Sequence, residues 1–398
     1  MKKLPLVIAL GAASLCSFAQ AQSSVQVYGR LYPYLNSESS SNPTATGTPV
    51  ATLAATPAGL RGVTSIKGMA AGNSNIGFKG TEGLGGGLKA VFQLEGSINV
   101  DDGGSGFSFN RNTFVGLEGG FGEIKLGLMD TVFKEYGDTL GILGVSSGTP
   151  MSSSNMLRKV GFGTSSASRF HERRANSIRY DSPNYGGVEF AAQVATQENP
   201  TATIGAAKTY SLGVKYDKGP IYVALAHEIH DNFFGGSANS PSAMRNNGAG
   251  TTVTSKDTAT QLTVEWRINK QHKVEFDVIR KNYDESATVT GRFKSYNNVA
   301  YLVGMDSRWS PQWRTAVQFV KSQAGSCSRV AAVCSTDGLE GSKFIVGGSY
   351  YLARRTYLFA AYNQVTNGKS ARFSVSDFGT ANPGEDTKQL IAGISHGF

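Results

Sequence analysis

The stretch Thr260–Asn269 reads TQLTVEWRIN. Leu262, Val264, Trp266 and Ile268 share one side of a period-2 pattern, while Gln261, Thr263, Glu265 and Arg267 share the other. HKVEFDVIRK, starting at His272, repeats it, with Val274, Phe276 and Val278 opposing Lys273, Glu275, Asp277 and Ile279. In LKAVFQLEG, Leu88, Ala90, Phe92 and Leu94 oppose Lys89, Gln93 and Glu95. A strand with one apolar face and one charged face separates two very different media. A soluble sandwich also alternates, but its apolar faces meet in a core and need no charge on every opposite face.

The punctuation between strands is one-sided. Short turns (LEGGFG, YDSPNYGG, YDKGP, INKQH, WSPQW, LARRT) alternate with long polar stretches. The long ones run at Asn36–Gly72, Ile98–Ser108, Asp130–Arg174, Gln197–Ala207, Asp231–Lys256, Tyr283–Lys294, Ser322–Gly341 and Asn367–Asp386. Eight long loops and seven short turns predict a sixteen-stranded, all-β antiparallel transmembrane barrel with its long loops outside. No run of eighteen apolar residues is present, which excludes transmembrane helices. No linker or change of composition divides the chain.

The start, MKKLPLVIALGAASLCSFAQAQSS, has Lys2 and Lys3, an apolar stretch and a small-x-small site at Ala19-Gln20-Ala21. That is the pattern of a secretory signal peptide, 1–21, with the barrel expected over 22–398. Removing it takes the net charge from +9 to +7 and leaves Cys327 and Cys334. Two cysteines seven residues apart in an exported chain are expected to form one local disulfide that does no more than tidy its loop. The basic residues are dispersed, so the charge does not indicate nucleic acid. At the other end, Gly393-Ile394-Ser395-His396-Gly397 fits the G-x-S-x-G of serine hydrolases. A nucleophile elbow needs a helix after the serine, and only three residues follow Ser395. The apolar alternation up to Phe398 instead suits a closing strand whose last residue faces lipid.

Several stretches then add up to a resemblance: SSVQVYGRLYPYL, NIGFKGTEGLGGGLKAVFQLEGS, RNTFVGLEGGFGEIKLG, NSIRYDSPNYGG and AGISHGF. In this order they resemble the Gram-negative general porins, especially their betaproteobacterial branch. The resemblance implies sixteen strands, a homotrimer, a third loop folded inward to narrow the pore, and Phe398 as an outer-membrane assembly signal. It also implies a basic ladder on the wall: Arg30 in VYGRL, Lys79 in GFKG, Arg111 in RNTFVGL and Arg173 upstream of NSIRYDSP. Strand parity places Arg111 on the face of Thr113, opposite Phe114. Asp130, Glu135 and Asp138 are the acids expected to face the ladder from the third loop. Asn75 and Leu128 stand where the family often has basic residues, which thins the ladder. Lys343, near a loop, is expected to have little influence on selectivity.

The remaining motifs are weaker. His227 and His230 fall on opposite faces of a strand and do not make a metal site. GLGGG joins two strands rather than opening a helix, so it cradles no phosphate. Tyr350, Tyr351, Tyr357 and Tyr362 are expected as interface girdle aromatics. No cofactor is indicated, and no Ser/His/acid set is visible for an enzyme. The expected function is passive diffusion of small hydrophilic solutes and ions, with a mild anion preference. The alternative is a channel preferring organic acids or similar small anions; an outer-membrane enzyme or adhesin barrel is the weaker choice. Partners would be further copies of the chain, outer-membrane lipid and lipopolysaccharide, and the assembly machinery.

Overall fold

The computed structural model describes residues 23–59, 64–104, 107–137, 151–163, 165–196, 206–246, 252–375 and 379–398. The expected leader, 1–21, lies outside the described residues. The strand segments are β1 (Ser24–Leu31), β2 (Tyr34–Ser41), β3 (Thr64–Ala70), β4 (Asn75–Gly85), β5 (Leu88–Ser97), β6 (Thr113–Gly119) and β7 (Gly122–Asp130). They continue as β8 (Arg173–Asp181), β9 (Val188–Thr196), β10 (Lys208–Lys218), β11 (Ile221–Asp231), β12 (Ser255–Arg267) and β13 (His272–Glu285). The last are β14 (Phe293–Arg308), β15 (Trp313–Ser322), β16 (Ser326–Arg329), β17 (Gly341–Ala353), β18 (Thr356–Asn367) and β19 (Asp386–Gly397).

These segments build sixteen barrel strands. Segments β1 and β2 are one strand interrupted at Tyr32-Pro33, since β1 pairs with β4 while β2 pairs with β3. Likewise β3 and β4 form a single strand interrupted at 71–74. The short β16 lies in the loop after β15 and extends the ladder of β14. Closure occurs at β19, which pairs with β18 on one side and with β1 and β2 on the other. Phe398 completes the seam: its N–H donates to Gly29 O at 3.1 Å, and Gly29 N–H donates back at 3.3 Å. Ser395 is thus a residue of a continuous strand, not of a turn.

Burial is inverted relative to a soluble protein. On β12, Gln261, Thr263 and Glu265 are buried, whereas Trp266 on the apolar face is 53% exposed. The same holds for outward Leu212, Leu225, Phe276, Val303, Leu358 and Leu390, all exposed. Apolar side chains outside and polar ones inside are what a lipid exterior and an aqueous interior require. Phe121, Tyr185, Tyr216, Trp266, Trp309, Trp313 and Tyr350 are exposed at or near the short turns, an aromatic girdle on that side. Tyr351 and Tyr357 do not join it. Their rings meet at a tilt with centroids 4.9 Å apart and point inward, where Tyr357 packs with Tyr32 and Phe359. On β17 the exposed residues are Phe344, Val346 and Tyr350 and the buried ones Lys343, Ile345 and Ser349, so plain alternation puts Tyr351 on the inward face.

Two local details follow from backbone chemistry. Gly86 and Gly87 both have positive φ (59° and 82°), so GLGGG is a two-residue hairpin turn that a side chain would strain. The first long loop is shorter than its polar stretch, because β2 runs on to Ser41 and β3 starts at Thr64. There Asn36 donates to inward Glu38 at 2.9 Å and Ser37 faces out. Polar residues on both faces erase the alternation.

The largest apolar cluster lies inside the barrel. Helix α1 (Val132–Tyr136) and helix α2 (Ser154–Leu157) belong to the third long loop. Val132, Phe133, Tyr136, Met156, Leu157, Val160, Phe162 and Phe170 of this loop are buried against Ala224, Ala259, Ile279, Tyr283, Tyr296, Ala300, Leu302 and Val320 of the wall. Each large apolar side chain so buried contributes about 1.5–3 kcal/mol. Gly213 permits the approach, since a Cβ there would lie 2.7 Å from Tyr136 Cδ2 and 2.9 Å from Val132 Cγ1. Leu53 of the first loop, Leu339 of the seventh and Phe373 of the eighth join the same cluster. In the seventh loop, Cys327 and Cys334 are disulfide-bonded, with Cα atoms 5.7 Å apart, and pack on this cluster's edge.

An arginine at mid-belt should therefore cost far more than one beside a short turn. Leu225→Arg is expected to destabilise the barrel by about 2–4 kcal/mol and Ile221→Arg by about 0–1 kcal/mol, read by unfolding from lipid vesicles. Deleting Phe398 should lower the yield of folded protein in the membrane and leave the conductance of surviving channels unchanged. Normal yield with altered conductance would reverse that assignment.

Candidate permeation site

The wall from β1 to β8 carries most of the candidate charges. Tyr28 and Arg30 share the inward face of β1, since Val25 and Val27 are exposed on the other. Lys79 on β4 is exposed, with its Nζ 5.2 Å from the centre of the Tyr28 ring. Arg30 lies close enough to Tyr32 and Tyr357 to interact with both electrostatically.

Arg111 reaches the lumen by an unforeseen route. Val115 and Leu117 are exposed on the outer face of β6, which Thr113 shares, while Phe114 points inward beneath Lys125. The parity argument from Thr113 is therefore inverted. The chain bends at Arg111 and Asn112 ahead of β6, and that bend turns the Arg111 side chain inward. Arg111 then forms an ion pair with Glu95 and donates to Asn73 Oδ1 at 2.8 Å. Glu95 also accepts from Tyr28 Oη at 2.8 Å.

Arg173 and Asp130 meet as register partners of β8 and β7, with Nη2 and Oδ1 3.0 Å apart. Lys134 on α1 holds the same carboxylate at 2.7 Å, and Asn112 accepts from Arg173 Nε at 3.1 Å. Glu135 pairs with Arg179 at 2.6 Å, and Arg179 grips Asp181 at 2.6 Å. Asp130 and Glu135 thus sit beside their basic partners on one wall. Asp138 lies outside the described residues. Within the third loop, burial reinforced by Arg169 lowers the Lys159 ammonium to about 8. Burial together with Arg158, Lys134 and Arg173 holds His171 well below the usual imidazole range, so it is neutral.

Several of these residues were not anticipated. Arg179 and Asp181 are two apart in a strand and share a face, a pairing that parity alone could have flagged. Lys134 carried no such signal, because α1 is a single short helix inside a long polar stretch. Lys343, expected to be peripheral, is fully buried in β17 and donates to Ser152 O of the third loop at 2.9 Å. His230 is buried against Glu228 at 2.8 Å, while His227 bonds Thr260 on the partly exposed side. No cluster of metal ligands is found among the described residues.

A barrel with an apolar exterior, an inward-folded third loop and a charged inner wall matches one set of known proteins. A profile of Gram-negative porins matches residues 7–370. The chain belongs to the Gram-negative porin family. It is an outer-membrane protein. Over 161 residues this porin is 34% identical to the major outer membrane protein P.IB of Neisseria meningitidis. That match spans 40% of the chain and 44% of the relative. In fold it is similar to the anion-selective porin from Comamonas acidovorans, with a TM-score of 0.68 and 22% identity over 95% of this chain and 100% of that one. The trimer form of OmpT, an outer membrane protein of Vibrio cholerae, gives a TM-score of 0.61 at 12% identity, covering 94% and 99% of the two chains.

The buried Arg179 organises this wall. Arg179→Met should leave Glu135 without its partner and Asp181 with Lys125 alone, at a cost of about 1–3 kcal/mol in unfolding from detergent micelles. Stability equal to wild type would show that the cluster is ornamental.

Proposed function

We propose that this porin is a passive, water-filled channel for small hydrophilic solutes and ions, with a mild anion preference. The observation that carries the reading is the inverted barrel, whose polar, charged face is turned inward and whose apolar face is turned to lipid. Residues 22–398 would form the mature barrel after removal of the leader. The working unit is a homotrimer in contact with outer-membrane lipid and lipopolysaccharide, delivered by the assembly machinery that reads Phe398. A trimer form among its structural neighbours supports the oligomer.

The narrow region is assigned to Arg30, Lys79, Arg111 and Arg173 with Asp130 and Glu135, at the entry of the third loop. Arg111 and Arg173 are each paired with a carboxylate, which cancels most of their field. Lys79 is exposed and has no ion pair among the described residues, so it acts on passing ions with its full charge. A mild rather than strong anion preference follows from this balance.

The test is the reversal potential across a potassium chloride gradient in planar bilayers. A unit charge about 7 Å from a permeating ion in water contributes about 0.6 kcal/mol, and screening at physiological salt roughly halves it. A unit charge acts with opposite sign on anion and cation, so Glu95→Gln, which unpairs Arg111, should raise the anion-to-cation permeability ratio by about 2–3-fold, and Lys79→Glu should lower it by at least as much. A cation-selective wild type, or no response to either substitution, would show that the constriction lies elsewhere.

A further inference from the structure

Besides its apolar packing and the ion pairs of α1, the third loop is fastened to the wall through its own backbone carbonyls. Lys281 on β13 and Lys343 on β17 are both fully buried. Lys281 Nζ donates to Leu157 O at 2.9 Å and Lys159 O at 2.6 Å, and Lys343 Nζ donates to Ser152 O at 2.9 Å. These carbonyls bracket α2, a single turn whose last carbonyl, Leu157 O, is one of those that Lys281 takes. In the sheet, β13 and β17 are separated by β14 and β15, so the two ammonium groups hold α2 from opposite sides. Lys281 has no ion pair among the described residues, and the groups it donates to, Leu157 O and Lys159 O, are both loop carbonyls.

Apolar packing presses the loop onto the wall, yet burial is non-directional and Met156 adapts to many seats. Donors aimed at particular carbonyls are directional. We propose that Lys281 and Lys343 are positioning residues that fix the register of the third loop on the wall and thereby set the cross-section of the permeation path. The proposal rests on the channel reading above. Both side chains are shielded from the lumen, so their influence is on geometry and not on ion preference.

Single-channel recording of wild type, Lys281→Met, Lys343→Met and the double variant in planar bilayers tests it, with barrel integrity checked by heat-modifiable electrophoretic mobility. The expected result for the double variant is a folded barrel whose conductance differs from wild type by about 1.5-fold or more, with flicker between sublevels and an unchanged reversal potential. Steady wild-type conductance in the double variant overturns the proposal. So does a shifted reversal potential at unchanged conductance, which would make the lysines charges of the path. Should the double variant fail to fold, Lys343→Gln, which keeps an N–H donor, is compared with Lys343→Met. A steadier level in Lys343→Gln supports the clasp, and identical behaviour overturns it. A wild type that does not conduct overturns the channel reading and this inference with it.

Discussion

Every backbone N–H and C=O within the hydrocarbon layer must find a partner inside the protein, because lipid offers none. For a strand that requires two neighbours, and for a sheet it requires closure. The seam between β19 and the β1–β2 strand is therefore the contact on which the rest depends. Its last bonds come from Gly29 and Phe398, where the ring and the glycine leave no room for a further Cβ. Inverted burial, the aromatic girdle and the one-sided loops all follow from a closed sheet standing in lipid.

Closure also creates an interior that must be furnished. Here a large part of it is filled by apolar residues of the third loop, with contributions from the first, seventh and eighth. The strands that receive this packing replace polar lumen residues with Ala224, Ala259, Ala300 and Ile279. Small residues on the inward face admit the loop, and one isoleucine among charged neighbours seats it. Most of the wall's polar contributions to this packing are aimed at loop backbone: Tyr222 Oη to Tyr136 O at 2.6 Å and Tyr283 Oη to Ser168 O at 2.6 Å, alongside the two lysines, while Gln261 Oε1 accepts from Arg158 Nε at 3.0 Å.

Electrostatics on the opposite wall obey a different rule. Ion pairs between neighbouring strands, such as Arg173 with Asp130 and Lys125 with Asp181, stiffen the sheet and cancel its field at the same time. A basic residue therefore contributes to ion preference only to the extent that it lacks a carboxylate beside it. Net charge says little about such a channel, since exposed charges beyond about 8–10 Å are screened.

Much of the architecture was legible in the chain itself. The alternation in Thr260–Asn269 and its repeats specified strands between lipid and water, because a period of two leaves no other arrangement of those side chains. Turn and loop lengths set the strand number, and the third loop, Asp130–Arg174, begins and ends at the observed strand boundaries to within two residues. Alternation did not reveal the polar extension of β2, where Asn36 and Glu38 face inward and Ser37 faces out. Nor could it reveal the bend before β6, which turned Arg111 inward against the parity of Thr113. Tertiary structure alone decided which charges are neutralised, since Asp130 and Arg173 lie far apart in sequence and meet only through register. It alone showed Lys281 and Lys343 at work, because their partners are backbone carbonyls, which every residue carries and no sequence pattern distinguishes.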